Sequence, residues 1–408
     1  MNQAALHKSS AVGLTFPVLL AASVCHFLND LMQSVFTATY PLFKSGFDLT
    51  FGQIGLLTFT YQMSASIFQP LIGHYTDGKP QPYSLPFASA FSMAGILTLS
   101  MAHTYGLLLL GGALLGIGSS IFHPEASRVA RLAAGTSHGL AQSIFQVGGN
   151  LGSSVGPLLV AFIVLPRGLN SLSWFALAAL TGMSILIGIS RWYKRNGHAK
   201  RGVKPAVQEG ALSSRRVGAA IFILTLLMLS KTFYLASFDS FYQFYLMHHF
   251  SVSPKDAQLC MFTFLAAVAA GTLVGGPVGD RIGRKKVIWG SILGILPFTL
   301  ALPYASLWGT IALSMVIGFV LASAFSAIVV FAQSLVPGRI GMISGVFFGL
   351  LFGFGGLGAA LLGSLADWTS IEFVYKVCSF FPLMGLLTVF LPNTDRGSRA
   401  ASRAHGKQ

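Results

Sequence analysis

An aspartate and a histidine lie four residues apart inside an apolar stretch that is long enough to cross a membrane. The stretch runs from Ala11 to Pro41 and contains His26 and Asp30. About 20 apolar residues cross the hydrocarbon core of a bilayer, so Asp30 lies deep, where a charge costs about 2.5–3.5 kcal/mol on insertion scales. Residues four apart share a helix face, so we expect the two side chains to lie side by side.

A second group of polar residues interrupts a later apolar stretch that reads FHPEASR, residues 122–128. Glu125 and Arg128 are three residues apart and share a helix face. Pro124 removes a backbone donor and loosens the helix beside Glu125. Such a break often accompanies a binding site in the helices of transporters.

These intramembrane groups are suited to taking up and releasing protons. Burial disfavours the charged form of a carboxylate and a nearby cation favours it, so a change of surroundings can drive protonation. The residues predicted to carry protons are Asp30, Glu125, His123 and His26. The alternative for the carboxylates is an ion pair with Arg128 or Lys231, and the alternative for the histidines is a hydrogen-bonded interior position.

The composition requires a membrane protein with many spans. Of the 408 residues, 53% are hydrophobic and only 9% are charged, whereas soluble proteins carry about 25% charged residues. The net charge of +15 does not indicate a nucleic-acid binder, because the basic residues collect in short polar gaps. We expect no cleaved signal peptide, since no cleavage site follows a short apolar core.

Motifs for enzymatic or ATP-driven chemistry do not occur in the sequence. There is no HExxH, no Ser/His/Asp set and no GxxxxGK[ST] loop, and FHPEASR lacks a second histidine for zinc. Cys25, Cys260 and Cys378 are widely spaced in apolar segments and form neither a disulfide framework nor a metal site. We therefore predict no enzyme, no catalytic residue, no metal and no cofactor.

Turn residues and charges divide the chain into twelve predicted spans. The predicted spans are 11–43, 50–76, 83–102, 105–133, 138–165, 170–194, 216–248, 254–279, 286–304, 307–335, 338–365 and 370–392. We predict an all-α fold of two pseudo-symmetric bundles of six transmembrane helices. Residues 1–194 form the N-terminal bundle, 195–215 a cytoplasmic linker, and 216–408 the C-terminal bundle with a basic cytoplasmic tail.

The distribution of lysine and arginine predicts the orientation. With both termini inside, the cytoplasmic gaps and tails hold 21 of the 26 Lys and Arg, the outer side holds four, and Lys231 falls within a span. Cytoplasmic loops of membrane proteins carry such an excess. We therefore predict that both termini are cytoplasmic.

The two halves of the sequence repeat each other. GHYTDGK follows the second span and GPVGDRIGRKK follows the eighth, which places Asp77 and Asp280 203 residues apart. GSSVGP in span five corresponds to FGGLGA in span eleven, where Gly156 and Gly358 are 202 residues apart. Secondary transporters are often built from such repeats, with the substrate site between them.

The loop GxxxDRxGRKK, residues 276–286, resembles the cytoplasmic loop signature of the major facilitator superfamily. The copy after span two is degenerate, because Gly78 replaces the basic residue beside Asp77. The resemblance implies that each loop aspartate helps to hold a closed state from near the start of a helix of the other half. This places Asp280 near the start of span five and Asp77 near the start of span eleven; the alternative is a tight turn with solvated charges. GNLGSSVGP resembles the span-five signature of antiporters in this superfamily, although its trailing glycine pair is absent, and the alternative is ordinary helix packing. The predicted gating residues are Asp77, Asp280, Arg281, Arg284, Gly152, Gly156 and Pro157.

Longer segments resemble drug-exporting members of the superfamily whose substrate is a phosphonate antibiotic. These segments are CHFLNDLMQS, SSIFHPEASRVARLA, HGLAQSIFQVGGN and PVGDRIGRKKVIWGSILG. The resemblance implies a bacterial inner-membrane antiporter, expected to be a monomer, that exports a small drug in exchange for protons by alternating access. The alternative is a proton symporter of the same fold for an organic acid or a sugar.

The resemblance also suggests where the substrate binds. In the superfamily, spans one, four, seven and ten line the central cavity. A phosphonate anion favours cationic or amide donors, and Lys231 is the deepest cation. Three polar residues at four-residue spacing give span five a polar stripe that points away from lipid. The predicted substrate-binding residues are Lys231, Arg128, Asn29, Gln142, Gln146, Asn150 and Asp239.

Overall fold

Every regular element of the described chain is a helix. The computed structural model describes residues 15–78, 81–134, 138–196, 213–336 and 340–392, and no strand occurs in these ranges. Most of the predicted linker 195–215 lies outside the described residues.

The helices group into twelve segments, which we number 1 to 12 in chain order. Segments 1 to 6 are Phe16–Gly46, Phe51–Gly78, Ser84–Ser100, Tyr105–Ala133, 138–167 and Leu169–Asn196. Segments 7 to 12 are Ser214–Phe250, Pro254–Ile282, Arg284–Tyr304, Leu307–Leu335, Ile340–Trp368 and Ile371–Phe390. Each segment falls on one of the predicted spans.

Ten of the segments in the described ranges are long and apolar enough to cross a membrane. Segment 3 is apolar but has only 17 residues, and segment 2 is long but carries more polar side chains. The prediction of an all-helical, multi-pass membrane protein is confirmed, with ten rather than twelve spans meeting these criteria.

Several segments predicted to be continuous are interrupted near proline or a small residue. Segment 1 consists of Phe16–Ala38 and Tyr40–Gly46, because Pro41 lacks the N–H that would continue the first helix. Segment 5 is an α-helix over His138–Leu159 that passes, after Pro157, into a π-helical turn over Val160–Val164 and a short helix over Leu165–Arg167. The other interrupted segments divide as follows: segment 6 into Leu169–Phe175 and Ala176–Asn196; segment 9 into Arg284–Ile292, Leu293–Ile295, Leu296–Ala301 and Leu302–Tyr304; segment 10 into Leu307–Ala322 and Ala324–Leu335; segment 12 into Ile371–Cys378 and Phe381–Phe390.

The buried apolar residues of the described chain form three clusters. The largest contains residues of both halves, such as Phe36 and Phe43 with Phe241 and Tyr375. It lies at the end of the bundle where segment 1 ends and segment 2 begins, which we call the predicted outer end. The second cluster contains only residues of the second half of the chain, and the third contains only residues of the first half. The halves therefore share one core at the predicted outer end and have separate cores at the other end.

Segment 2 of the first half packs along segment 11 of the second half, and segment 5 packs along segment 8. Glycines permit the close approach: a Cβ atom at Gly55 would collide with the backbone of Ala359, and one at Gly363 with the backbone of Phe51. Two pairs of helices thus join the halves.

Candidate functional site

Asp30 lies on segment 1 with two polar partners from its own helix. Its Oδ2 atom lies 3.2 Å from His26 Nε2, one helical turn earlier, as the spacing predicted. Asn29 Nδ2 donates to Asp30 Oδ1 at 3.0 Å. The His26 side chain is 3% exposed and that of Asp30 18%, so the carboxylate lies inside the bundle but keeps access to open space.

A third group reaches the same carboxylate from segment 4. His123 Nε2 lies 3.5 Å from Asp30 Oδ1, and its side chain is 23% exposed. The rings of His26 and His123 meet edge to face with centroids 5.3 Å apart. We call His26, Asp30 and His123 the His–Asp–His cluster.

Both imidazole rings are held by backbone carbonyls. His26 Nδ1 lies 2.8 Å from the Phe145 carbonyl oxygen of segment 5, and its ring stacks on the Phe145 ring at 4.1 Å. His123 Nδ1 lies 2.9 Å from the Ser119 carbonyl oxygen and 3.1 Å from Ser119 Oγ. A carbonyl oxygen only accepts hydrogen bonds, so these contacts favour the proton on Nδ1 of each ring.

This geometry allows the cluster to hold a variable number of protons. A neutral imidazole carries one N–H, so a ring that donates from Nδ1 to a carbonyl has a lone pair at Nε2. Nε2 then bonds to Asp30 only when the imidazole or the carboxyl group carries a further proton. The cluster can therefore bind protons through three groups within mutual contact.

Segment 5 packs directly against the cluster because Gly149 has no side chain. A Cβ atom at Gly149 would lie 2.6 Å from Asp30 Oδ2 and would also collide with the His26 ring. Gly152 and Gly156, on the same helix face, similarly meet the backbone or side chains of Phe27 and Ser34 on segment 1. In the described structure, these predicted gating glycines pack segment 5 on segment 1, and Pro157 lies inside the helix. Gly149 is not among the predicted residues, although it lies in the same GNLGSSVGP motif.

A chain of polar groups continues from the cluster toward the predicted outer end. Ser119 Oγ contacts Gln33 Oε1 at 3.4 Å, and the Tyr61 hydroxyl of segment 2 donates to the same oxygen. Gln33 is not among the predicted residues, although it lies seven residues after His26 on segment 1 and so near the same face.

Glu125 forms the ion pair that the spacing suggested. Arg128 Nη1 lies 3.2 Å from Glu125 Oε1, and the Glu125 side chain is fully buried. Arg128 also donates to the Thr76 carbonyl oxygen of segment 2 at 2.7 Å. The pair therefore links segment 4 to segment 2 in addition to any part in proton transfer.

The remaining predicted substrate residues lie on segments 5 and 7. Lys231 is buried at 3% exposure, and Asp239 is partly exposed two turns further along segment 7. On segment 5, Gln142 is exposed, whereas Gln146 and Asn150 are partly buried. Their roles stay predictions.

The predicted loop gates are described only in part. Arg281 is exposed and Arg284 is partly buried. The side chains of Asp77 and Asp280 lie outside the described part of the structure.

A carboxylate that the sequence analysis missed joins the halves at the predicted outer end. Asp367, near the end of segment 11, accepts hydrogen bonds from the backbone N–H groups of Phe51 and Gly52 at 2.7 Å each. These N–H groups belong to the first turn of segment 2, where no intrahelical partner exists. Nearby, Gln258 Nε2 of segment 8 donates to the Ala38 carbonyl oxygen of segment 1 at 2.5 Å.

Buried proton-binding groups inside a bundle of apolar segments, arranged as two halves, are typical of a secondary transporter. The family model described as Major Facilitator Superfamily matches residues 22–245 and 220–407, and the chain belongs to this superfamily of membrane transporters. It is therefore a transporter and not an enzyme.

Two curated relatives extend over nearly the whole chain. The chain is 57% identical over 379 residues to the fosmidomycin resistance protein of Escherichia coli (strain K12), covering 93% of each. It is 41% identical over 387 residues to the uncharacterized MFS-type transporter YfnC of Bacillus subtilis (strain 168), covering 93% of this chain and 94% of the relative. The resemblance to a drug-resistance member of the superfamily that the sequence segments suggested is confirmed.

Solved structures of other transporters share the fold. A bacterial homologue of the human lysosomal transporter Spinster, in an inward-facing and unoccupied conformation, superposes with a TM-score of 0.71 at 18% identity, covering 92% of this chain and 94% of that one. The nucleoside transporter NupG superposes with a TM-score of 0.73 at 14% identity, covering 92% and 99%.

Proposed function

We propose that this transporter exports fosmidomycin, and small phosphonates like it, from the cytoplasm of a bacterium in exchange for protons. The substrate class comes from the relative with 57% identity over 93% of the chain. The observation that supports proton coupling is the His–Asp–His cluster, which places three proton-binding groups in contact inside the membrane bundle.

Exchange follows if the two half-cycles need different protonation states of the cluster. The drug-loaded transporter turns over with the cluster unprotonated, and the empty transporter returns with the cluster protonated. Asp30 is the group that both histidines contact, so its replacement removes the shared partner. In this proposal the transporter lies in the inner membrane, acts as a monomer and needs no cofactor, because the proton gradient drives it.

The test uses inside-out membrane vesicles with an acidified lumen and a pH-reporting dye. We expect fosmidomycin added outside to release protons from the lumen of vesicles with the unmodified transporter, and Asp30→Asn to abolish this release while the protein stays folded and inserted. Asp256→Asn is the matched control, because Asp256 is an exposed carboxylate whose hydrogen bonds are to Ser253. We expect it to behave like the unmodified chain.

The same assay distinguishes export from import. An organic acid and a sugar are added in place of the drug. Proton movement with one of these nutrients, and none with fosmidomycin, would show a symporter and overturn the proposed function. Full drug-driven proton release by Asp30→Asn would refute the role of Asp30 while leaving drug export intact.

Lys231 is proposed to bind the phosphonate anion from segment 7. A hydrogen bond to a charged group contributes about 1.5–3 kcal/mol, so Lys231→Ala is expected to raise the apparent KM for fosmidomycin about tenfold or more. Uptake of labelled drug into inside-out vesicles measures this change, with Lys44→Ala at the end of segment 1 as the control. An unchanged KM in Lys231→Ala would place the anion site elsewhere.

A further inference from the structure

The His–Asp–His cluster presents three metal-ligating atoms at the separations that a divalent transition-metal ion requires. Four ligands at about 2.0–2.1 Å from a tetrahedral Zn²⁺ ion lie about 3.3 Å from one another. Asp30 Oδ2 lies 3.2 Å from His26 Nε2, and Asp30 Oδ1 lies 3.5 Å from His123 Nε2. One ligand atom from each of the three residues lies within 4.8 Å of the other two.

The contacts behind the ligands are those of a metal site. A histidine that binds a metal through one ring nitrogen almost always donates the other N–H to a carbonyl or carboxylate. His26 Nδ1 faces the Phe145 carbonyl and His123 Nδ1 faces the Ser119 carbonyl, so both Nε2 lone pairs turn toward Asp30. Asn29 orients the carboxylate itself at 3.0 Å. These three contacts involve three helices and pre-orient the ligands independently of any ion.

The cluster is also reachable. Asp30 and His123 are 18% and 23% exposed, so an ion can enter from the open side of the bundle. Gly149 closes the opposite side, where a Cβ atom would lie 2.6 Å from Asp30 Oδ2. A bound ion would have three protein ligands and one open position, which water or an anionic oxygen can fill.

We propose that His26, Asp30 and His123 form a binding site for one divalent transition-metal ion of the Zn²⁺ class. Two imidazoles and one carboxylate suit Zn²⁺ and Co²⁺ and are poor ligands for Mg²⁺ or Ca²⁺, which take oxygen ligands. Spacing in the sequence predicted no metal site, because FHPEASR contains one histidine. The second imidazole comes from segment 1 and becomes visible only when segments 1 and 4 pack together.

The inference stands apart from proton-coupled export. The three ligand side chains lie together in the described structure, whatever the direction or the driving force of transport. Metal binding is therefore measured on purified full-length protein without a gradient or a drug. A failed vesicle assay with a positive metal assay would overturn only the proposed function.

The primary test is titration of the detergent-purified transporter with Co²⁺, read by visible absorption, and with Zn²⁺, read by calorimetry. We expect one equivalent of Co²⁺ to give the strong absorption bands of four-coordinate cobalt, and Zn²⁺ to displace it. Asp30→Asn, His26→Gln and His123→Gln are each expected to lower the affinity at least tenfold and to change the cobalt spectrum. His103→Gln, at an exposed position, is the matched control and should leave both unchanged.

A second measurement avoids variants that fail to fold. Diethyl pyrocarbonate modifies accessible histidines, and mass spectrometry locates the modified residues in the unmodified chain. We expect Zn²⁺ to protect His123 and not His103. Equal modification of His123 with and without Zn²⁺ would overturn the site. Binding that survives all three ligand substitutions but is lost in His248→Gln would do the same, and would place the metal at the surface pair of His248 and Glu372.

Discussion

Asp30 is stabilised inside the membrane by donors from two helices. A charge at this depth costs about 2.5–3.5 kcal/mol on insertion scales. His26 and Asn29 of its own helix and His123 of segment 4 contact both carboxylate oxygens. A hydrogen bond to a charged group contributes about 1.5–3 kcal/mol, so the bond from Asn29 together with one from a protonated imidazole is sufficient to offset the cost. The charge at this position therefore depends on the packing of segment 4 against segment 1, which brings His123 to the carboxylate.

Gly149 holds segment 5 at the distance that the cluster needs, and its replacement by alanine tests this role. A Cβ atom would lie 2.6 Å from Asp30 Oδ2, so the carboxylate or the His26 ring must shift. Alanine stabilises a helix by about 0.5–1 kcal/mol relative to glycine, which offsets part of the free-energy cost of the collision. The displacement of the cluster side chains remains. We expect Gly149→Ala to reach the membrane in normal amount and to lose drug-driven proton release about tenfold, equivalent to about 1.4 kcal/mol.

Gly188→Ala is the matched control for this prediction. Gly188 lies on segment 6, and a Cβ atom there meets nothing within 4 Å. The control should retain full exchange in the same vesicles. Full exchange by Gly149→Ala would show that the cluster tolerates the displacement.

Sequence spacing predicted contacts within one helix and missed contacts between helices. His26 with Asp30, and Glu125 with Arg128, are one turn apart, so helix geometry alone brings them together. The contact of His123 with Asp30 depends on how segments 1 and 4 pack. No periodicity within either segment contains that information.

At the scale of elements, the sequence predicted where each segment lies but not how it is interrupted. Hydropathy averages over a window, so it places segment 12 at 370–392 and cannot show that its second part, Phe381–Phe390, is a 3-10 helix. Pro382 lies at the start of that part and is the only local signal. The family resemblance placed only Asp77, after span two, near the start of span eleven, whereas the packing of segment 2 along segment 11 required the structure.

Asp367 is expected to act as a latch between segments 11 and 2. Its carboxylate accepts two backbone hydrogen bonds at the start of segment 2, where the helix dipole also favours a negative charge by about 0.3–1 kcal/mol. Asp367→Asn keeps the shape and removes the charge. The substitution also weakens one of the two hydrogen bonds. We therefore expect the free energy that favours the state closed at the predicted outer end to fall by about 1–1.4 kcal/mol, which raises the population of the open state about five- to tenfold.

Distances between spin labels at Ser45 and Thr369, in a background without native cysteines, measure this population by electron–electron resonance. Asp256→Asn again serves as control, because Asp256 also lies at the predicted outer end and contacts only its own turn among the interactions described. An unaltered distance distribution in Asp367→Asn would mean that the apolar core holds this end closed without the latch.

At the scale of the whole molecule, the three buried clusters define which end is closed. Residues of both halves share a core at the predicted outer end, and each half keeps its own core at the other end. A core that the halves share at one end only is typical of one state of an alternating-access cycle. Composition and hydropathy predicted the fold class, but the state depends on contacts between halves that are far apart in sequence.

The direction in which this arrangement opens depends on the orientation of the chain, which charge alone predicts. The cytoplasmic side is assigned 21 Lys and Arg and the outer side four, so we expect both termini and residues 195–215 inside.

Green fluorescent protein fluoresces when fused to a cytoplasmic terminus, and alkaline phosphatase is active only outside. We expect fluorescence from a C-terminal fusion and phosphatase activity from an insertion between segments 1 and 2, after Asp48. A fusion at Lys79, between segments 2 and 3, is the matched control and should give no phosphatase activity. The reverse pattern would show that the chain has the opposite orientation in the membrane. The end that Asp367 closes would then face the cytoplasm, and the His–Asp–His cluster would be reached from outside.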